Sequence, residues 1–299
     1  MTGDPLSYEF VDTVDGIKTT LRHILDARRE QLDDAEFDPH MPLLFVDAEG
    51  NNLCRYGTVS LLQIHIPQSG RTFVIDIFVL GAVAFSTTIP CFSYDLSSTP
   101  SPTTPLPFPD ISSEGDGISL KSILESPGIM KCFFDVRNDA DALYNIHSIS
   151  INCVVDLQIL EVATRKGRRR LLNGLARAIR LDGSLEPEEL ARWLDIKEKG
   201  KAMFRATNSH VNATGPNVPT SSSPSAASLL APSKDDANYA IFDARPLPEE
   251  LLQYAINVSH CPASYLHLVV INNALDVFLT FQSRMLSICL VFGPSTMPN

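Results

Sequence analysis

The 299-residue sequence lacks most of the patterns that mark common metal-binding and catalytic sites. Its six cysteines contain no C-x-x-C pair, which excludes zinc-ribbon spacing, and its seven histidines form no H-x-x-x-H pattern. Neither G-x-x-x-x-G-K-[ST] nor G-x-G-x-x-G occurs, so no nucleoside-triphosphate or dinucleotide site is predicted. The absence of G-x-S-x-G removes support for a serine hydrolase.

Positive charge and long apolar runs are also scarce. Lys and Arg number 24 against 35 Asp and Glu, which excludes a uniformly basic nucleic-acid coat but not a local basic patch. Met1–Asp12 is acidic and has no apolar core. We therefore expect no secretory signal and an intracellular protein, in the nucleus or the cytoplasm, with reduced cysteines. The apolar segment 266–292 is interrupted by Asn272, Asp276 and Arg284, so no membrane span is expected.

Proline, serine and threonine are concentrated in two segments of a chain whose 44% hydrophobic and 20% charged residues are typical of globular proteins. Residues 93–117 and 207–238 lack a hydrophobic period, so we predict two mobile insertions. The sequence then divides into an N-terminal helical segment (1–40), a main domain (41–265) that carries both insertions, and a divergent apolar tail (266–299).

Hydrophobic periodicity in the rest of the chain predicts alternating strands and helices. Strands are predicted over residues 43–46, 58–66, 72–80, 130–134 and 153–155. Helices are predicted over residues 17–36, 118–124, 139–146, 157–164, 171–179, 187–194 and 248–256. The turn at 67–70 favours a hairpin between the second and third strands. This order of elements predicts an α/β domain with a mixed sheet.

Two carboxylates follow the first predicted strand, in L-L-F-V-D-A-E-G. Asp47 and Glu49 are separated by one residue, and alternate residues of an extended chain point to the same face. The pair is therefore a candidate site for one cation. The alternative is an acidic strand end that faces solvent, which is the usual environment of Asp and Glu.

Two further segments carry candidate site residues. K-C-F-F-D-V-R-N-D-A-D-A-L places Asp139 at the start of a predicted helix, where an isolated aspartate is usually a cap. Acidic clusters at two strand ends would repel each other unless a cation neutralised them, and carboxylate oxygens favour Mg²⁺ or Mn²⁺. In R-P-L-P-E-E-L-L-Q-Y-A, Tyr254 is either a core aromatic residue or one that orients a water near a metal.

The sequence resembles the DEDD superfamily of 3′–5′ exonucleases, in particular the ribonuclease D-like branch that includes Egalitarian and Werner-type exonuclease domains. The resemblance rests on four segments in the family's order: LLFVDAEG, KCFFDVRNDADAL, VVDLQILEVATR with LLNGLARAI, and RPLPEELLQYA. It runs from about Met41 to Tyr254 and leaves both insertions outside. Four ordered segments are more specific than any single motif.

The resemblance implies a ribonuclease H-like mixed sheet flanked by helices. It implies that Asp47, Glu49 and Asp139 are metal ligands and that Tyr254 positions the attacking water. The implied activity is phosphodiester hydrolysis from the 3′ end of RNA or DNA by two Mg²⁺ or Mn²⁺ ions. One ion activates the water, and the other stabilises the leaving 3′ oxygen.

The family's fourth acid is missing from the sequence. It lies four residues after the tyrosine, where this chain has Val258, which cannot bind a metal; the preceding Asn257 offers a neutral oxygen about 100° around a helix axis. Either the protein has lost the ligand, or a misplaced exon boundary has removed it. The chain as written predicts impaired or absent hydrolysis. The alternative function is an inactive module on the same fold that binds nucleic acid or protein.

A basic cluster is the best candidate for contact with backbone phosphates. Arg165, Lys166, Arg168, Arg169 and Arg170 occupy five of six consecutive positions in an acidic chain. The equally weighted alternative is a solvated loop between two helices.

Overall fold

The computed structural model describes residues 7–34, 41–90, 117–165, 167–182, 185–211, 239–257 and 259, with only the backbone for 182 and 204–211. The apolar tail and almost all of both predicted insertions lie outside these ranges. Among the described cysteines, Cys132 is buried, and Cys54 and Cys153 are half-buried.

The described elements alternate between strands and helices, as the periodicity predicts. In chain order they are β1 (Glu9–Val11), α1 (Val14–Asp33), β2 (Leu44–Glu49), β3 (Leu61–Ile66), β4 (Arg71–Asp76), α2 (Ile77–Leu80), α3 (Val83–Ser86), β5 (Thr88–Ile89), β6 (Ile118–Ser119), α4 (Leu120–Glu125), β7 (Lys131–Phe133), α5 (Arg137–His147), β8 (Val154–Asp156), α6 (Leu157–Thr164), α7 (Leu175–Asp182), α8 (Pro187–Val211), a 3-10 helix (Tyr239–Asp243) and α9 (residues 249–257).

A six-stranded mixed sheet organises the fold, in the order β1-β4-β3-β2-β7-β8. Strands β3 and β4 form the predicted antiparallel hairpin, and β2 pairs antiparallel with β3. Strands β2, β7 and β8 run parallel, as do β1 and β4. The predicted fold class, a ribonuclease H-like mixed sheet flanked by helices, is confirmed. None of the helices in the described ranges has the length and apolarity needed to cross a bilayer.

Three element predictions need correction. The strand predicted over 72–80 ends at Asp76, whose Oδ1 accepts a hydrogen bond from the Val79 amide at 3.0 Å and so begins helix α2. The helix predicted from residue 118 begins after strand β6, at its N-cap Ser119. Helix α8 continues to Val211, so residues 207–211 are helical rather than part of an insertion.

The two faces of the sheet bury different partners. Leu44, Val46 and Ala48 of β2 contribute to the main core, which also contains Ile17, Leu21 and Ile24 of α1. On the opposite face, Phe45 belongs to a cluster with α6, α7 and Trp193, whereas Leu61 and Val74 pack with Phe242 and α9. Each fully buried aliphatic side chain stabilises the fold by about 1.5–3 kcal/mol. By strand alternation, Asp47 and Glu49 share the face of Phe45, where these two clusters meet.

Candidate active site

Strand β2 presents two carboxylates beyond the end of its parallel neighbour. Its last pairing with β7 joins Phe45 to Cys132, so residues 46–49 lie beyond the last β2–β7 pair. Asp47 and Glu49 lie on one face and are partly buried, while Ala48 between them points into the main core. The prediction that the two acids share a face is confirmed by the strand geometry.

Asp139 is joined to the same strand by a hydrogen bond. The amide of Ala48 donates to Asp139 Oδ1 at 3.0 Å, so a carboxylate from α5 takes up a strand amide that extends past β7. Asp139 is 5% exposed, and it lies in the first turn of α5 rather than at the N-cap, which is Val136. The bond places the Asp139 carboxylate beside the backbone between Asp47 and Glu49.

The start of α5 is held by Asp156, the last residue of β8. Its carboxylate accepts hydrogen bonds from the amides of Asp135 and Val136 at 3.0 and 3.2 Å. It also accepts from the Gln158 amide at 2.9 Å, which caps α6. One carboxylate therefore fixes the first residues of two helices and, through α5, the position of Asp139.

The carboxylates are close enough to perturb one another. Burial raises the pKa of Glu49 to about 8, with a further contribution from the negative charge of Asp139. Burial, followed by the charges of Glu49 and Asp139, raises the pKa of Asp47 well above its usual range. Burial raises the pKa of Asp139 to about 7, although the amides of Asp139 and Ala48 oppose the shift. Acidic groups are thus concentrated where burial and mutual repulsion favour bound protons, which a divalent cation could replace.

Gln63 is an unpredicted member of this face. It pairs with Asp47 across the β2–β3 ladder and is completely buried. Neither its amide nitrogen nor its carbonyl oxygen has a hydrogen-bond partner among the described residues. An unsatisfied buried amide costs about 1–3 kcal/mol, so the position favours an additional polar group beside Asp47.

Tyr254 reaches the same site from α9. Burial raises the pKa of its phenol far above the usual value, with contributions from the charges of Glu49 and Asp47. The segment before α9 is tied to the sheet, since Ser60 Oγ donates to Asp243 Oδ1 at 2.5 Å and Arg245 Nε donates to Asp76 Oδ2 at 2.6 Å. Tyr254 therefore lies beside the two acids of β2, on an anchored helix.

Lys197 of α8 is a site residue that the sequence analysis missed. Its positive charge partly offsets the raised pKa values of Asp47 and Glu49, and its Nζ lies 4.9 Å from the centre of the Trp193 ring. The segment D-I-K-E-K-G-K around it contains three lysines in similar surroundings. No spacing rule distinguishes the lysine that approaches the carboxylates.

Asn257 is engaged away from the acids. Its side-chain nitrogen donates to the Trp193 carbonyl oxygen, and Trp193 Nε1 donates to the Asn257 carbonyl oxygen, both at 2.9 Å. Asn257 is 1% exposed, so its amide serves as a link between α8 and α9. Val258, at the position of the missing acid, lies outside the described residues.

The described side chains are not arranged as a finished metal centre. Within the described ranges, no group of three or more His, Cys, Asp or Glu side chains has an arrangement that could hold a metal ion. The carboxylates of Asp47, Glu49 and Asp139 are near enough to interact electrostatically, and Asp139 has one oxygen bonded to Ala48. The three predicted acids thus lie near one another, but their carboxylates are not arranged around a common centre.

The basic cluster divides into two parts. Arg165 is mostly buried and pairs with Glu161, with Nε to Oε1 at 2.7 Å, and it also donates to the carbonyl oxygens of Arg168 and Leu171. Arg168, Arg169 and Arg170 are exposed, and Lys166 is outside the described residues. Arg165 thus organises the loop, and the three exposed arginines are the ones available to a ligand.

Comparisons with known proteins point to one fold. No family model matches the chain. A structure of the Trypanosoma brucei RNase D:GMP complex superposes with a TM-score of 0.50 at 18% identity, covering 87% of this chain and 56% of that one. The chain has the ribonuclease D fold. The predicted ribonuclease D-like resemblance is thus confirmed at the level of the fold, and the Egalitarian-like branch remains a prediction.

Sequence relatives agree over a shorter stretch. The chain is 29% identical over 120 residues to the piRNA biogenesis protein EXD1 of Mus musculus and, at the same identity and length, to that of Homo sapiens. The match covers 40% of this chain but only 15% and 17% of the mouse and human proteins. The chain is thus similar to a small part of much longer proteins.

Proposed function

We propose that this chain is a metal-dependent 3′–5′ exonuclease that hydrolyses phosphodiester bonds at the 3′ end of RNA or DNA. The observation that supports this most directly is the hydrogen bond from Ala48 to Asp139, which joins a carboxylate of α5 to the strand that carries Asp47 and Glu49. The ribonuclease D fold is consistent with this chemistry. We assign the activity to residues 41–265, with 266–299 as a divergent tail. The N-terminal segment 1–40, predicted to be helical, also supplies strand β1 to the same sheet, and its helix α1 packs in the main core.

The side chains at the site fit a hydrated divalent cation by their chemistry. Asp47, Glu49 and Asp139 supply hard oxygen ligands whose burial makes uncompensated charge costly. Gln63 has an unsatisfied amide beside Asp47, which a metal-bound water would satisfy. We propose that these three carboxylates hold Mg²⁺ or Mn²⁺, two ions in the active state.

Bound divalent ions would supply an activated water and stabilise charge on the phosphoryl oxygens and the leaving 3′ oxygen. Tyr254, beside Asp47 and Glu49, would orient the attacking water through its phenol, which is protonated at neutral pH. Lys197 contributes positive charge on the same side and would reduce repulsion between the acids and a phosphate.

The second candidate function is binding without hydrolysis. It is favoured by valine at the position of the fourth acid and by the lack of a ready three-ligand arrangement among the described residues. In this case the fold would hold nucleic acid or a protein partner. We propose nucleic acid as the partner, with the exposed Arg168, Arg169 and Arg170 contacting backbone phosphates.

A 5′-labelled oligonucleotide with a 3′ single-stranded tail separates the two functions. With Mg²⁺ or Mn²⁺ we expect slow, stepwise shortening from the 3′ end that chelation abolishes. Asp47→Asn should reduce the rate on the order of a thousandfold, because a lost ligand removes several kcal/mol of transition-state stabilisation. Asp15→Asn, at an exposed aspartate of α1, is the matched control and should leave the rate unchanged.

Binding of the same oligonucleotide without shortening, at any concentration of either ion, would assign the chain to the binding function. Shortening that persists in EDTA or in the Asp47→Asn variant would contradict the metal-dependent mechanism.

A further inference from the structure

Helix α8 has a glycine at its closest approach to Tyr254. Gly200 is buried, and a Cβ atom built on it would lie 2.5 Å from Cγ and 2.6 Å from Cβ of Tyr254, and closer still to Cδ2. Real Cβ atoms essentially never approach other heavy atoms within 3.0 Å. The tyrosine ring therefore lies in the space that any other residue at position 200 would fill.

Glycine is unfavourable in the interior of a helix, and the close packing of Tyr254 explains its presence at position 200. Relative to alanine it destabilises the helix, because a chain with glycine loses more conformational freedom on folding. Gly200 lies well within the 25-residue helix α8, far from either end where glycine would serve as a cap. The close packing against Tyr254 offsets that cost by letting the two helices approach.

The same two helices are joined a second time. Trp193 and Asn257 exchange two hydrogen bonds of 2.9 Å. Trp193 precedes Gly200 by two helical turns, and Asn257 follows Tyr254 by one turn, so each pair lies on one face of its helix. The polar link and the glycine contact together fix how far α9 lies from α8 and how it is rotated.

We infer that Gly200 is a positioning residue, whose missing side chain provides the space that seats the Tyr254 ring beside Asp47 and Glu49. The part of this inference that concerns catalysis rests on the function proposed above; the part that concerns packing does not. Gly200, which has no side chain, acts through its contact with Tyr254. Lys197, one turn before it on α8, approaches the same acids, so this helix face serves the site at two positions.

The first experiment measures the Tm of Gly200→Ala. Replacing a helix glycine by alanine in open space would raise the Tm by about 3 °C. The overpacked contact should instead lower it by about 4 °C. Ala202→Gly, at an exposed position of the same helix, is the control and should lower the Tm as ordinary helix propensity requires. A rise in the Tm of Gly200→Ala would overturn the inference.

Measuring the Tm change of Gly200→Ala with different residues at position 254 then tests whether Tyr254 causes it. The Tm penalty of Gly200→Ala should be largest with tyrosine at position 254, smaller in a Tyr254→Ala background, and reversed to a gain with Tyr254→Gly. Should the glycine variant not fold, the tyrosine and alanine backgrounds still give the order. An equal penalty in all backgrounds that fold would remove Tyr254 as the cause.

Kinetics distinguish positioning from packing. Below the Tm of both proteins, Gly200→Ala should lower kcat about tenfold or more while KM changes little, because the tyrosine moves but the rest of the site does not. A lowered Tm with unchanged kcat would reduce Gly200 to a packing role and overturn the positioning assignment. If the natural chain releases no nucleotides, the Tm series still decides the packing, so the two proposals fail separately.

Discussion

The two walls of the candidate site are built in different ways. The carboxylate wall consists of Asp47 and Glu49 on β2 with Asp139 at the start of α5. Strand pairing fixes Asp47 and Glu49, whereas Asp139 is held by one hydrogen bond to Ala48, 91 residues away, and by Asp156 at the start of α5. The tyrosine wall consists of Tyr254 on α9 with Lys197 and Gly200 on α8. It is fixed by side-chain contacts between segments that are 64 to 183 residues apart.

This difference explains which wall is visible in the sequence. Strand alternation puts two carboxylates on one face wherever the D-x-E pattern ends a strand, so local chemistry alone specifies their relation. The tyrosine wall requires Asp243, Arg245 and Trp193 to find partners across the fold. Its stability therefore depends on a few long-range contacts, and single substitutions should disturb it without disturbing the carboxylate wall.

The largest effect is expected from the Arg245–Asp76 pair. Asp76 is 1% exposed, and Arg245 also donates to the carbonyl oxygens of Phe242 and Ala244. Arg245→Gln would leave a buried carboxylate without its charged partner, at a cost of about 3–5 kcal/mol of unfolding free energy. In hydrogen exchange, α9 should lose protection while β2 keeps it.

Arg71→Gln is the control, because Arg71 pairs with Glu9 where both side chains are about half exposed. Such a pair contributes about 0–1 kcal/mol, so urea unfolding should barely change. Equal loss of protection in α9 and β2 in the Arg245 variant would show that the walls are one cooperative unit and would remove the contrast between them.

Much of the fold and half of the site could be predicted. Alternation and strand-to-helix junctions identify Asp47, Glu49 and Asp139, and Tyr254 follows from the family resemblance. The strand assigned beyond residue 76 was wrong, because Ile77–Leu80 has strand-like residues while the Asp76 carboxylate caps a helix turn. Local propensity was overridden by one side-chain hydrogen bond.

Lys197, Gly200 and Gln63 could not be predicted, for a physical reason. Each owes its role to what packs against it: Gly200 to the Tyr254 ring, Lys197 to acids on another element, and Gln63 to its place beside Asp47 in the ladder. Helix α8 was also predicted to end at residue 194, before either Lys197 or Gly200. A residue whose function is to leave space, or to approach a charge, carries no local signal.

An intermediate effect concerns the carboxylate wall and pH. The raised carboxyl pKa values, about 8 for Glu49 and about 7 for Asp139, mean that the folded protein holds protons that the unfolded chain has released. Stability without divalent ions should therefore fall as the pH rises from about 4 to about 8. Urea unfolding at pH 5 and pH 8 measures this.

The triple variant Asp47→Asn, Glu49→Gln, Asp139→Asn should flatten this dependence, and Mg²⁺ should stabilise the natural chain at pH 8 more than at pH 5. The control Asp15→Asn, at an exposed aspartate, should leave the pH dependence of the unfolding free energy unchanged. An unchanged pH dependence in the triple variant would show that the three acids of the carboxylate wall do not interact as described. The tyrosine wall would then be the better-defined half of the site.

The smallest effect concerns a region outside both walls. The exposed Arg168, Arg169 and Arg170 follow α6, whose eight residues rise about 12 Å from the end of β8. At that distance they would contact phosphates away from the reacting end, so their neutralisation should change binding and leave kcat and Tm unchanged. For single-stranded nucleic acid the slope of log affinity against log salt should shrink by about two.

Neutralising Arg22, Arg71 and Arg192, which are dispersed over α1, β4 and α8, makes the same charge change and should leave the slope nearly unaltered. Equal slopes for both triple variants would show that net charge alone acts, and that the arginine loop is a solvated connection organised by Arg165 and Glu161.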